Sequence, residues 1–365
     1  MSLGSVGYNF NSLNIQSGKL PEGSKRPEGF QGSGKDVFVR GESRECAEEM
    51  RFAKAGRLFQ SSQGREAGKA NEVGKSSDVE PEEVSMYPGR NGYDKSFLGV
   101  ELPMPELGAS IRDKVAMRKD KPGECELTYT NYSVVMNKER RQCFYAVCNI
   151  DGSSHRNVKR AGSWTIDGRI DRDYQLGNEA YSGNNIDKGH MVRRLDPCWG
   201  KNPDLASNDT FSYCNAALQH GGLNQKEWLA LEDHVLGAAR CGQKLTVITG
   251  PIFSENDPKF DNHGQINPPT QIPMKFFKTV VWKDSQSGGL KSASFVLSQE
   301  DIINKDGSLF KGRSREGLNP DRFEVYQVPL KQLEQMTDLH FGDIGDISKE
   351  TVKLTAASDY KPYGL

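Results

Sequence analysis

A chain of 365 residues with 48 Lys plus Arg against 49 Asp plus Glu carries no global positive field. Attraction to nucleic acid must therefore come from local patches. No run of 18 apolar residues occurs and the first 30 residues lack an apolar central region, which excludes a membrane-spanning helix and a Sec-type leader. Seven cysteines, an odd number, argue against a closed disulfide framework and for a reducing compartment. The expected protein is soluble and makes no membrane contact, either cytoplasmic or exported by a leaderless route. It is long enough for one large domain or two ordinary ones.

In chain order, residues 1–90 hold 13 of the 38 glycines, many serines and lysines, and little hydrophobic period, the pattern of a low-complexity, disordered region. Within it Ser43–Phe59 has the spacing of a helix of three or four turns, marginal on its own. Such a segment serves as a tether, a delivery signal, a partner-binding arm or simply a solvated tail. The composition changes near Tyr93, and a folded domain is expected over residues 91–345. Leu127–Met136 and Gln142–Ile150 are rich in Tyr, Val, Phe and Cys around the turn Asn137–Arg140, which predicts a β-hairpin. Cys143 and Cys148, five apart on one strand, should point to opposite faces and act as packing residues. Further strands are expected at Leu245–Thr249, Lys278–Trp282, Ala293–Leu297 and Phe323–Val328. One helix is clear: it starts at Gly221-Gly222-Leu223-Asn224, carries an apolar stripe through Trp228, Leu231, Val235 and Leu236, and ends at Gly237 or Gly242. A polar tail, 346–365, closes the chain and frays over its last ten residues.

The chemistry concentrates at Asp187-Lys188-Gly189-His190, with Asn215, Asn224 and Glu232 at 25, 34 and 42 residues beyond the histidine. His190 is the candidate general base, because an unperturbed imidazole is neutral and proton-accepting at working pH. Gly189 lends backbone freedom just before it. Asn224, Trp228 and Glu232 follow one another at four-residue intervals and fall on one helix face. An amide oxygen and a water-bridging carboxylate on one stripe suit Mg2+, which prefers oxygen and keeps most of its water. Asn224 as an ordinary helix N-cap and Glu232 as a solvated charge is the plainer alternative. Residues 156–201 carry nine Lys or Arg against six Asp or Glu, so cations to neutralise a phosphate surround the base. No Cys-x-x-Cys or His-x-x-x-His spacing supports a zinc site.

These motifs resemble the DNA/RNA non-specific endonucleases of the ββα-metal, or His-Me finger, class, which includes endonuclease G-like enzymes. The resemblance spans roughly 92–344 and runs through Gly92-Tyr93, Phe97-Leu98-Gly99, the strand Tyr132–Asn137, DKGHMVRRLDPCWG, DTFSYCNAALQ, LNQKEWLALE, Thr249-Gly250-Pro251, Ile272-Pro273 and Lys278. It implies an α+β fold with a six-stranded antiparallel central sheet flanked by helices, and cleavage of DNA and RNA without strong sequence preference. By the same resemblance His190 is the general base, Asn224 the ligand of Mg2+ or Mn2+, Glu232 the carboxylate that orients metal-bound water, and Asn215 the second active-site asparagine. Lys188 stands where the family pattern has arginine and gives up its bidentate fork, leaving phosphate positioning looser or to Arg193 or Arg194. The family's upstream phosphate arginine falls at Gly162, so Arg160 is the candidate and Arg156 its rival. Leu218 replaces a proline. Family members often form homodimers, and an inhibitor protein is a further partner to expect if the chain is a toxin. The competing reading is a degenerate member that binds nucleic acid or protein without cutting, which Lys188 and Leu218 permit.

Overall fold

The computed structural model describes residues 87–310 and 325–354. The helix expected at Ser43–Phe59 and nearly all of the low-complexity region lie outside the described residues. Among those described, strands β1 (Glu126–Thr128), β2 (Tyr132–Asn137) and β3 (Gln142–Asp151) form an antiparallel meander. The expected strand Leu127–Met136 is thus two strands, because Asn131 takes a left-handed φ of 67° and turns the chain between them.

β4 (Ile186–His190) and β5 (Ala216–His220) pair as a separate antiparallel hairpin. β6 (Lys244–Ile252), β7 (Lys275–Lys283), β8 (Leu290–Ser298), β9 (Val325–Val328) and β10 (Val352–Leu354) join the meander in the order β10-β9-β8-β7-β6-β3-β2-β1. Gly345–Asp346 adds a short parallel partner to β8. The central sheet therefore has nine strands among the described residues, not six. The edge strand β10 lies within the span read from sequence as a tail.

Both faces of the sheet are covered, which explains why β2, β3 and β7 are almost wholly buried. One face packs against the hairpin and a long helix through Met191, Ala217, Trp228, Leu231 and Val235. The other packs against Phe97, Leu102, Leu330 and Leu333. Cys143 and Cys148 are both buried on the first face. The alternation predicted from their spacing fails because a β-bulge at Phe144 of β3, opposite Val135 and Met136, lets Phe144 and Tyr145 point together to the second face.

The helical elements are α1 (Pro203–Asp209), α2 (Gly221–Arg240), α3 (Glu300–Lys305) and α4 (Leu330–Thr337). α2 is a composite: α-helical at Gly221–Leu223, a π turn at Asn224–Trp228, then α-helical from Leu229 to Arg240. It begins on His220, whose Nδ1 accepts the Gly222 N–H, and stops before Gly242, at φ 87°. Gly237 is an interior residue, and Asn224 is not the N-cap.

Candidate active site

A two-stranded hairpin leaves backbone groups on its outer edges without ladder partners, and buried groups of that kind must be paired. Two glutamines meet this need for β5. Gln142 Oε1 accepts the Leu218 N–H, while Gln299 accepts the His220 N–H and donates to the Leu218 and Pro273 carbonyls. The hairpin is thereby held rigidly over the sheet.

His190 is the last residue of β4, and a clamp follows it. Asn215 is fully buried, its carbonyl accepting the Met191 N–H and its side chain bonding the Val192 N–H, the Val192 carbonyl and the Thr210 carbonyl. The asparagine expected in the active site thus contributes by position. It extends the strand pairing past His190 and closes the 191–215 excursion. Gly189 is required for a reason other than backbone freedom: a Cβ there would stand 2.1 Å from Gln219 Oε1. Gln219, fully buried with neither amide atom hydrogen-bonded, occupies that space. Sequence reading missed Gln219, and an amide so placed needs the glycine opposite it.

Aromatic rings surround the base. Trp164 lies 4.8 Å and Phe211 5.4 Å from the His190 ring, centroid to centroid. His190 Nε2 is sealed from solvent with no hydrogen-bond partner. Burial first, then the Arg160 and Arg194 guanidiniums, push the ring's pKa down to about 3. Both effects favour the neutral imidazole.

That depression sets a stability trend. The folded-state pKa is below the unfolded value, so the unfolded chain binds the extra proton and His190 costs stability as pH falls from about 6.5 toward 3. A His190→Gln variant should therefore show a flatter loss of thermal midpoint than the wild type between pH 6.5 and 4. Parallel curves would contradict the burial of the ring.

Arg160 reaches this group by laying its guanidinium over Phe211, 4.9 Å from the ring centre. Gly162 packs against the same ring, where a Cβ would stand 2.2 Å from Phe211 Cδ2. A side chain is thus excluded at the position where the family arginine was expected. Arg160 is exposed and makes no ion pair among the described residues, while Arg156 is held through its backbone to Cys198 and has no contact with the histidine. Arg160→Ala should lower kcat/KM about 10-fold or more, and Arg156→Ala should leave it unchanged. Equal losses in steady-state cleavage assays would remove the preference.

The other cations are committed. Lys188 Nζ donates to Asn178 Oδ1 at 2.9 Å, with Tyr181, Trp164 and Tyr213 ring centres 5.4 to 5.9 Å away. Burial lowers its pKa against the pull of Asp187. Arg193 pairs with Asp233 and Glu232, and Arg194 with the Val158 carbonyl and Ser207. Neither arginine is left to replace the missing fork.

α2 brings in the amide. Asn224 Nδ2 donates to Asp187 Oδ2 at 3.0 Å, and Gln225 Nε2 donates to the same oxygen at 2.9 Å. Asp187 therefore fixes the amide and leaves Oδ1 as the free acceptor. Asp187 and His190 stand three positions apart on β4, about 10 Å of strand. The amide is thus tied to the strand that ends in His190. Glu232 sits deeper, buried with Oε1 unpaired and its pKa pushed up to about 7 by burial. The stripe predicted for Asn224, Trp228 and Glu232 runs from the rim into the interior, with Trp228 fully buried between them.

Among the described residues no group of three or more His, Cys, Asp or Glu could cage an ion. One oriented amide oxygen and one nearby carboxylate instead fit a hard divalent ion that keeps its water.

A hairpin whose first strand ends in a histidine and whose second leads directly into a helix carrying a half-buried asparagine is the arrangement of the ββα-metal class of nuclease folds. The sequence model for DNA/RNA non-specific endonucleases matches residues 114–345, and the chain belongs to that family. Curated relatives include an uncharacterised protein of Sinorhizobium fredii, 32% identical over 71% of this chain and 40% of its own length. The mitochondrial nuclease of Saccharomyces cerevisiae is 26% identical over 50% of the chain and 54% of its own length. Human mitochondrial endonuclease G is 26% identical over 50% and 57%. The chain thus spans 40% to 57% of the length of these relatives. A solved complex of EndoG with EndoGI, described as showing the mechanism of EndoG inhibition, aligns at TM-score 0.45 and 19% identity over 60% of this chain and 87% of that one. Among the described residues no helix is long and apolar enough to cross a membrane.

Proposed function

We propose that this chain hydrolyses phosphodiester bonds of DNA and RNA without strong sequence preference, using one divalent ion, Mg2+ or Mn2+, on Asn224 and neutral His190 as general base. The observation that carries this reading is the bond from Asn224 to Asp187, which joins a free amide oxygen to the strand that ends in a histidine kept unprotonated. His190 Nδ1 takes a proton from a water in line with phosphorus. The ion, when bound on Asn224, supplies charge for the phosphate and the departing 3′ oxygen. Glu232, buried further along the same helix, would hold water on such an ion, and Arg160, exposed over Phe211, would meet the phosphate. Lys188, as a point charge tied to Asn178, adds field without a fork. A site built from these groups addresses the backbone and leaves base edges unread.

The test is to incubate the purified chain with supercoiled plasmid, single-stranded DNA and structured RNA, with Mg2+ or Mn2+ and with chelator. Cleavage of all three only with the ion, leaving 5′-phosphate ends, is the expected result. The engagement of Lys188 with Asn178 favours a second reading, a weak or inactive member that binds nucleic acid or a protein. Binding without cleavage in the same assay would select it.

A further inference from the structure

β7 presents Phe276, Val280 and Trp282 to the face that packs under α2, and the residue in line between the first two is Lys278. A lysine in an apolar row, 1% exposed, is costly unless its charge is answered. Its ammonium donates to Thr249 Oγ1 at 3.0 Å and lies 4.8 Å from the Trp228 ring centre. Two buried carboxylates, Glu232 and Asp196, each with one oxygen atom lacking a hydrogen bond, act on it through their charge without a direct ion pair. Arg193 approaches Glu232 from the other side at 3.9 Å. Two cations and two carboxylates thus form the buried part of one cluster, with Asp233 engaging Arg193 at its exposed edge. Glu232 is the buried carboxylate on the helix that carries Asn224.

We propose that Lys278 is a positioning residue: its ammonium, anchored in the central sheet through Thr249, is the counter-charge that holds the Glu232 carboxylate in place beneath the active site. The proposal rests on the reading of Glu232 given above. The electrostatics agree with it. Lys278 and Arg193 both act to lower a Glu232 pKa that burial raises, and Asp196, itself pushed up to about 6, opposes them. Removing Lys278 leaves the two buried carboxylates with Arg193, which Asp233 already engages. Removing Lys278 and Glu232 together takes one charge of each sign from the cluster.

The experiment is a double-variant cycle on the full chain, with Glu232→Gln, Lys278→Met and the two combined. It is read both as Mg2+-dependent plasmid cleavage and as the midpoint of thermal unfolding without metal. Each single variant should lose about 10–100-fold in cleavage rate, and the combination should lose no more than Glu232→Gln alone. In unfolding, Lys278→Met should lower the midpoint, and adding Glu232→Gln should raise it again. If Lys278→Met does not fold, recovery of a folded double variant supports the pairing. Losses that multiply in cleavage and add in unfolding would overturn it, as would a double variant that fails to fold where Glu232→Gln folds. A wild-type chain that cuts nothing would refute the proposed function, while the unfolding cycle would still decide the pair.

Discussion

Replacing His190 with alanine is expected to lower the rate of phosphodiester cleavage by about 10²–10⁴-fold, the usual worth of a positioned general base. The reason lies in its surroundings. With Trp164 and Phe211 packed against the ring, Nε2 sealed off and two arginines nearby, protonation is disfavoured throughout the working range. Two other histidines of the domain are already engaged. His220 is occupied by the Gly222 N–H and Asp306, and His155 by the Leu195 carbonyl. Because the buried ring is a burden in acid, the variant should fold at least as well as the wild type below pH 6. Its rate loss, measured at matched thermal midpoint, then reports chemistry. A variant with wild-type turnover would remove His190 from the mechanism.

Asn224→Ala should be as severe, and it should differ in kind. Alanine removes the amide whose nitrogen Asp187 holds and whose oxygen is thereby left free, so the ion would lose its direct protein ligand while His190 remains. Turnover should fall to near background at ordinary Mg2+, and a rate that rises without saturation as the ion is raised is the expected signature. Asp187, left without its amide partner, still accepts from Gln225, which keeps the start of α2 in place. Saturation at the wild-type concentration with a wild-type plateau would place the ion elsewhere.

The parts of this site that could be read from the sequence are those whose spacing is itself chemical. His190, Asn224 and Glu232 declare themselves by a tetrapeptide and a helix period, and the structure places the first two on one hairpin–helix unit. What was hidden depends on contacts across long sequence separations. Nothing local to Gln142 or Gln299 says that they close the edge of β5, 76 and 79 residues away from the backbone they meet. Lys278 reads as the start of an expected strand, and only the assembled sheet sets it under α2. The π turn at Asn224–Trp228 has no sequence mark that helical periodicity detects. It accompanies a stripe that leaves Asn224 at the rim while Trp228 and Glu232 are buried.

Local geometry also bears on choices that spacing left open. Arg160 is preferred to Arg156 because Phe211 offers its face to the one and nothing comparable holds the other. Gly162 excludes a side chain for the same reason, since the ring fills the space its Cβ would need. The cysteine alternation failed because a single bulge in β3 resets which face each later residue takes. A period of two is only as good as the ladder is regular.

The most direct test of the central claim is to follow supercoiled plasmid with the wild-type chain, His190→Ala and Asn224→Ala side by side, in Mg2+ and in chelator. The account predicts nicking by the wild type in Mg2+ alone, with both variants near the background of the chelated reaction. Comparable nicking by either variant, or by the wild type in chelator, would contradict it.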